Sequence, residues 1–125
     1  MSFRFDDIDH IQLAAPKGKE KEAREFFCGI LRMEEIEKPE SLKKNGGAWF
    51  KSGNVQIHVG IEDPFSPSKK AHPAFSIENL EVLKQHLTKH KILFIEDHLL
   101  PGANRIYIHD PFGNRIELLE WKPSS

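Results

Sequence analysis

Hydrophobic and polar positions fall into two runs of the same order, one in each half of the chain. Residues 8–14 alternate as a strand that stops before Pro16. Ala23, Phe26, Phe27, Ile30 and Leu31 then recur at helical spacing, giving a helix over residues 17–32 with Lys and Glu on its solvent face. A weak exposed strand at 34–38 and a polar loop at 41–47 follow. A hairpin of residues 48–51 and 55–61, turning at Ser52-Gly53-Asn54, completes the run. Residues 63–70, with Pro64, Pro67 and two serines, read as a linker. The second run opens with a strand at 71–77. Asn79 then caps a helix that carries Leu80, Leu83 and Leu87 and ends near Lys91. A strand at 92–96, a Pro-Gly loop at 99–104, a strand at 105–109, the turn Asp110-Pro111-Phe112-Gly113-Asn114 and a strand at 115–121 close the chain. Both halves therefore read β-α-β-β-β, although residue identity between them is low.

Length and charge narrow the setting. A chain of 125 residues is expected to form one domain, 1–125, with modules at about 6–62 and 70–122, long enough to bury a core. Lys and Arg total 18 against 19 Asp and Glu, a net charge of −1. Such a balance supplies no basic stripe for nucleic acid. No apolar run approaches the roughly 18 residues of a membrane-spanning helix, and the opening Met-Ser-Phe-Arg-Phe-Asp-Asp lacks the apolar core of a signal peptide. A cytoplasmic location is the expectation. Cys28 is the single cysteine, which excludes an internal disulfide and fits a reducing compartment. Beside Phe26 and Phe27 it reads as a structural thiol.

The candidate chemistry lies on the polar faces of the strands. His10 and His72 stand at the start of each run, 62 positions apart. By the two-residue period of a strand, His10 shares a face with Gln12, His58 with Gln56, His72 with Ala74 and Ser76, and Glu117 with Arg115 and Leu119. The apolar neighbours point the other way, toward the helices. A lone strand histidine is ordinarily a hydrogen-bonded or surface residue, and a lone glutamate is ordinarily solvated. His86, His90, His98 and His109 show that this chain uses histidine freely. Corresponding placement in a repeat is what singles out His10, His58, His72 and Glu117. Imidazole and carboxylate are the donors that divalent Fe, Mn, Co, Ni and Zn accept.

Three stretches, Asp9-His10-Ile11, His72-Pro73-Ala74-Phe75-Ser76-Ile77-Glu78-Asn79-Leu80 and Asp110-Pro111-Phe112-Gly113-Asn114-Arg115-Ile116-Glu117-Leu118, resemble the vicinal oxygen chelate superfamily. That group includes glyoxalase I, extradiol dioxygenases, thiol-transfer fosfomycin resistance proteins, methylmalonyl-CoA epimerases and bleomycin-binding proteins. The resemblance covers about residues 6–121. It implies an α+β fold of two βαβββ modules forming a curved mixed sheet around a cavity, with helices on the outer face. It also implies metal ligands at His10, His72 and Glu117, with His58 at the point where glyoxalase-like members normally carry a fourth ligand, a glutamate. The metal would be a divalent ion (Fe, Mn, Ni, Co or Zn). Partnership as a homodimer acting on a small molecule follows from the same resemblance, with ligands drawn from one chain or shared between two.

Three functional readings come from this resemblance. The favoured one is a metal-dependent, glyoxalase-like enzyme, a lyase, isomerase or thiol transferase, that chelates adjacent oxygens of a small substrate and stabilises an enolate or oxyanion. In it Glu117 is ligand and base, while Arg105 holds an anionic group of the substrate. The second is an Fe(II) extradiol dioxygenase, because His98, Tyr107 and Glu117 follow the spacing of that family's signature. His98 and Tyr107 would then contact substrate and oxygen. Glu96 departs from that signature, and most such enzymes are over twice this length. The third is a metal-free binder of the bleomycin-resistance type, with Trp49, Phe50, Phe65 and Phe112 lining an aromatic groove.

Overall fold

The computed structural model describes residues 1–123 and shows the repeat as two four-stranded sheets. The first contains β1 (Ile11–Ala15), β2 (Glu34–Ile36), β3 (Ala48–Ser52) and β4 (Val55–Ile61), in the order β1-β4-β3-β2. The second contains β5 (Ala74–Ser76), β6 (Ile95–Asp97), β7 (Ala103–His109) and β8 (Arg115–Trp121), in the order β5-β8-β7-β6. In each sheet the first strand runs parallel to the last, and the other pairings are antiparallel. Parallel pairing demands a long connection, and the module's helix lies within it. Neither sheet closes on itself.

Several elements are shorter than their periodicity suggests. β1 begins at Ile11 and β5 spans only Ala74–Ser76, so His10 and His72 stand just ahead of their strands. Pro73, which has no N–H, precedes β5 and cannot donate to a ladder. The polar loop at 41–47 contains a 3-10 turn, Glu40–Asn45. The first helix is not uniform: α1 (Glu20–Arg24) widens into a π-helical segment, Glu25–Ile30, where the Leu31 N–H reaches back five residues to the Phe26 carbonyl at 2.9 Å. Gly29 sits inside this segment and weakens its preference for an ordinary α-helix.

Asn79 does not cap α2 (Leu80–Lys89) with its side chain. Its backbone is left-handed, φ 60 and ψ 57, whereas a capping side chain works from an extended backbone. Glu120 on β8 does the capping instead, accepting the Asn79 N–H at 2.9 Å and the Leu80 N–H at 3.0 Å. These two bonds hold its carboxyl below the usual glutamate range.

The alternation of each strand decides what is buried. Leu13 and Ala15, Ile57 and Val59, Ile106 and Ile108, and Ile116 and Leu118 join Phe26, Phe27, Leu80 and Leu87 in one apolar cluster spanning both modules. Each buried large side chain contributes about 1.5–3 kcal/mol. Two hydrogen bonds tie the modules further. Asn114 Nδ2 donates to the Ala14 carbonyl at 2.7 Å, and His86 Nε2 donates to the Ile30 carbonyl at 2.7 Å. The turn that positions Asn114 needs Gly113, whose φ is 90. Among the described residues, no helix is long and apolar enough to cross a membrane.

Candidate functional site

The polar faces of the two sheets hold two clusters, one per module. In the second, β5 and β8 are in register with Ala74 opposite Glu117, and Tyr107 on β7 lies across from Glu117 on the other side. That register brings His72 Nε2 to 3.0 Å from Glu117 Oε1. Both side chains are largely buried, 18% and 9% exposed.

The protons on His72 follow from its partners. Its Nδ1 lies 2.8 Å from the Lys70 carbonyl, which can only accept, so Nδ1 carries the hydrogen. In the neutral ring Nε2 is then a bare lone pair, and it faces a carboxylate oxygen. Two lone pairs at 3.0 Å require a proton or a cation between them. An imidazole whose far nitrogen is tied to a carbonyl is also the usual support for a metal-ligating histidine.

Arg105 and Tyr107 pack beside this pair. Arg105 reaches Glu117 Oε2 at 3.4 Å and Asp97 Oδ2 at 3.2 Å, so its outer nitrogens are already engaged by carboxylates. The Leu99 N–H, together with Arg105, holds the Asp97 carboxyl below its ordinary range. The Tyr107 ring meets the His72 ring edge-on at 5.6 Å and carries the Arg115 guanidinium 4.0 Å above its centroid. Arg115 was not among the residues singled out from sequence. Its signal was its position two residues before Glu117, on the same face of β8.

The first module presents a stack of rings. Trp49 and His58 are opposite one another in the β3–β4 register and lie 3.8 Å apart, nearly parallel at 3°. His10 covers the other face of His58 at 3.9 Å and 14°. His58 is buried, and that burial, with His10 as the next cause, pushes its imidazole below the usual histidine value. The two histidines differ in what they offer. His10 Nδ1 is held by Asp9 at 2.8 Å, and no hydrogen bond engages its Nε2 among the described residues, whereas His72 Nε2 already faces Glu117. His58 instead places Nε2 3.2 Å from the Gln56 side-chain oxygen.

The remaining sequence candidates lie elsewhere. His98 is exposed beyond the end of β6, and no hydrogen bond or ring contact joins it to Tyr107 among the described residues. His86 is bonded to the Ile30 carbonyl and faces His90 at 4.5 Å. Cys28 is half-buried, and burial raises its thiol, in keeping with a structural role. Among the described residues, no group of three or more His, Cys, Asp or Glu side chains is arranged to hold a metal ion. The donor chemistry fits a divalent ion at His72 and Glu117, and among the described residues no third His, Cys, Asp or Glu joins that pair.

No family model matches the chain, and no curated protein does. Solved structures do. A glyoxalase family protein from Bacillus anthracis shares 52% identity across 98% of this chain and 100% of its own, with a TM-score of 0.94. A glyoxalase/dioxygenase from Nostoc punctiforme matches at 21% identity, over 94% of this chain and 92% of its own, with a TM-score of 0.75. The fosfomycin resistance protein FosX from Listeria monocytogenes matches at 20% identity, over 94% of each chain, with a TM-score of 0.71. The last two likenesses concern the fold alone.

Proposed function

This chain belongs to the glyoxalase family of the vicinal oxygen chelate superfamily, and from that premise we propose that it is a metal-dependent enzyme acting on a small molecule with adjacent oxygens. The observation that supports this reading is the buried His72–Glu117 pair, whose facing lone pairs take either a proton or a metal cation between them. His72 Nε2 and Glu117 Oε1 would hold the metal. His10, whose Nε2 is free and whose Nδ1 is held by Asp9, would supply a third donor from a second copy of the chain. Bound there, a divalent ion would act as a Lewis acid on the substrate oxygens.

The chain's own groups have separate tasks. Lys70, through its carbonyl, keeps the proton of His72 on Nδ1 and the ring in one orientation. Arg105 fixes the outer oxygen of Glu117 and aligns the carboxylate. The Glu117 carboxylate is the group that would accept a proton from a carbon next to the chelated oxygens. Tyr107 closes the inner wall and keeps water from this pair. His58 would support His10 by stacking on it, with Trp49 behind, and so would position a ligand without being one.

Metal analysis of protein purified without chelators tests the proposal. Close to one divalent ion per chain is expected, falling below about a tenth of that in His72→Ala. Loss of a methylglyoxal–thiol adduct should disappear in Glu117→Gln. Metal-free protein, with no metal uptake from Zn, Ni, Co, Mn or Fe(II) solutions, would overturn the metal reading. In that case the Trp49–His58–His10 stack favours a binder of flat molecules, the second reading.

A further inference from the structure

We infer that Arg115 selects the substrate of this site, and that the group it selects is an oxyanion, a carboxylate or a phosphonate. The inference rests on the functional reading above and adds a substrate class to it. Arg105 and Arg115 both flank Tyr107, yet they stand in different electrostatic positions. Arg105 is paired with Asp97 and Glu117. Arg115 has no ion pair and no side-chain hydrogen bond among the described residues.

Its Cζ lies 4.0 Å from the centroid of the Tyr107 ring. No acceptor engages its N–H donors among the described residues, and a guanidinium presents such donors as a planar fork that matches a carboxylate or phosphonate with two parallel bonds. Arg115 is only half-buried, so a ligand can reach it.

Strand geometry then sets where the anion sits. Arg115 and Glu117 are two residues apart on β8 and share its polar face. The Arg115 side chain reaches over Tyr107, the register partner of Glu117, whose ring meets the His72 ring edge-on at 5.6 Å between centroids. An oxyanion held by Arg115 therefore sits beside the His72–Glu117 pair, where one small substrate can reach both. Across the β7–β8 ladder from Arg115 stands His109, and no Asp or Glu occupies that partner position. A neutral substrate would leave the Arg115 charge unmatched, which is the basis for selection.

The chain's single tyrosine makes the inference testable without turnover. Protein carrying 3-fluorotyrosine has one fluorine signal, from Tyr107, under Arg115. Titration with methylphosphonate and with acetate at constant ionic strength should shift that signal saturably, and the stronger of the two identifies the preferred oxyanion. Neutral dimethyl sulfone should leave it unmoved. Arg115→Gln should weaken the anion by about tenfold or more, and Arg115→Lys, which keeps the charge without the fork, should fall between. The same titration in EDTA separates this result from the metal reading, which is judged by metal content alone. An equal shift in Arg115→Gln, or no saturable shift with either anion, overturns the inference. Should neither variant fold, phenylglyoxal modification of the wild-type chain decides it: either anion should protect Arg115 against dimethyl sulfone as control, and absence of protection overturns it.

Discussion

Asn114→Ala should destabilise the fold by about 3 kcal/mol at neutral pH, because Asn114 serves two buried acceptors at once. Its Nδ2 donates to Asp110 Oδ2 at 2.7 Å and to the Ala14 carbonyl of the other module at 2.7 Å. Asn114 is 8% exposed and Asp110 5%, so water cannot readily replace the lost donor. A net hydrogen bond to a neutral carbonyl contributes about 1 kcal/mol and one to a carboxylate about 2. At a urea slope of roughly 1.5–2 kcal/mol per molar, the midpoint should fall by roughly 1.5–2 M. A pH series sharpens the test. Burial raises the Asp110 carboxyl above its ordinary 3.8, while bonds from Asn114 and Phe112 pull it down. With its folded value raised, Asp110 stabilises the fold fully below that ordinary value, and the contribution is lost as pH rises through the folded one. Removing the Asn114 amide raises the folded value further. The loss in Asn114→Ala should therefore be smaller at pH 4 than at pH 7. A loss under about 1 kcal/mol at pH 7, or one that grows on acidification, would refute the reasoning.

Two other perturbations probe the framework. Phe27→Ala removes a fully buried ring that lies 5.0 Å from Phe26 and 5.2 Å from Phe50, and chemical denaturation should show a loss of about 3–5 kcal/mol. Under 2 kcal/mol would mean that the cluster collapses to fill the gap. Glu120→Ala strips both acceptors from the start of α2, so exchange of the Asn79 and Leu80 amides should accelerate while that of Leu87 in the helix interior stays slow. Unchanged exchange at residues 79 and 80 would show that water caps the helix equally well.

The repeat was legible because strand and helix periods are local. Ile116 and Leu118 declare one face of β8 and Arg115 and Glu117 the other before any partner is known, and β4 and β8 begin and end where the alternation does. The first helix was legible as an element but not in its π-helical widening, because hydrogen bonds that skip one residue further leave the apolar spacing almost unchanged. The cap of α2 was misread for a different reason. Asn79 has the right side chain, but its left-handed backbone turns the task over to Glu120, 41 residues away.

The site divides along the same line. Sequence alone determined that two histidine-led βαβββ modules exist and that His10, His58, His72 and Glu117 occupy their polar faces. Only tertiary structure decided which of these meet, because pairing depends on the register of strands far apart in the chain. The β5–β8 register joins His72 to Glu117, whereas the β3–β4 register sets His58 against Trp49. It decided, too, that Arg105 is held between two carboxylates while Arg115 lies open on Tyr107. Charge type is written in the residue; whether the charge is already neutralised depends on which neighbours the fold delivers.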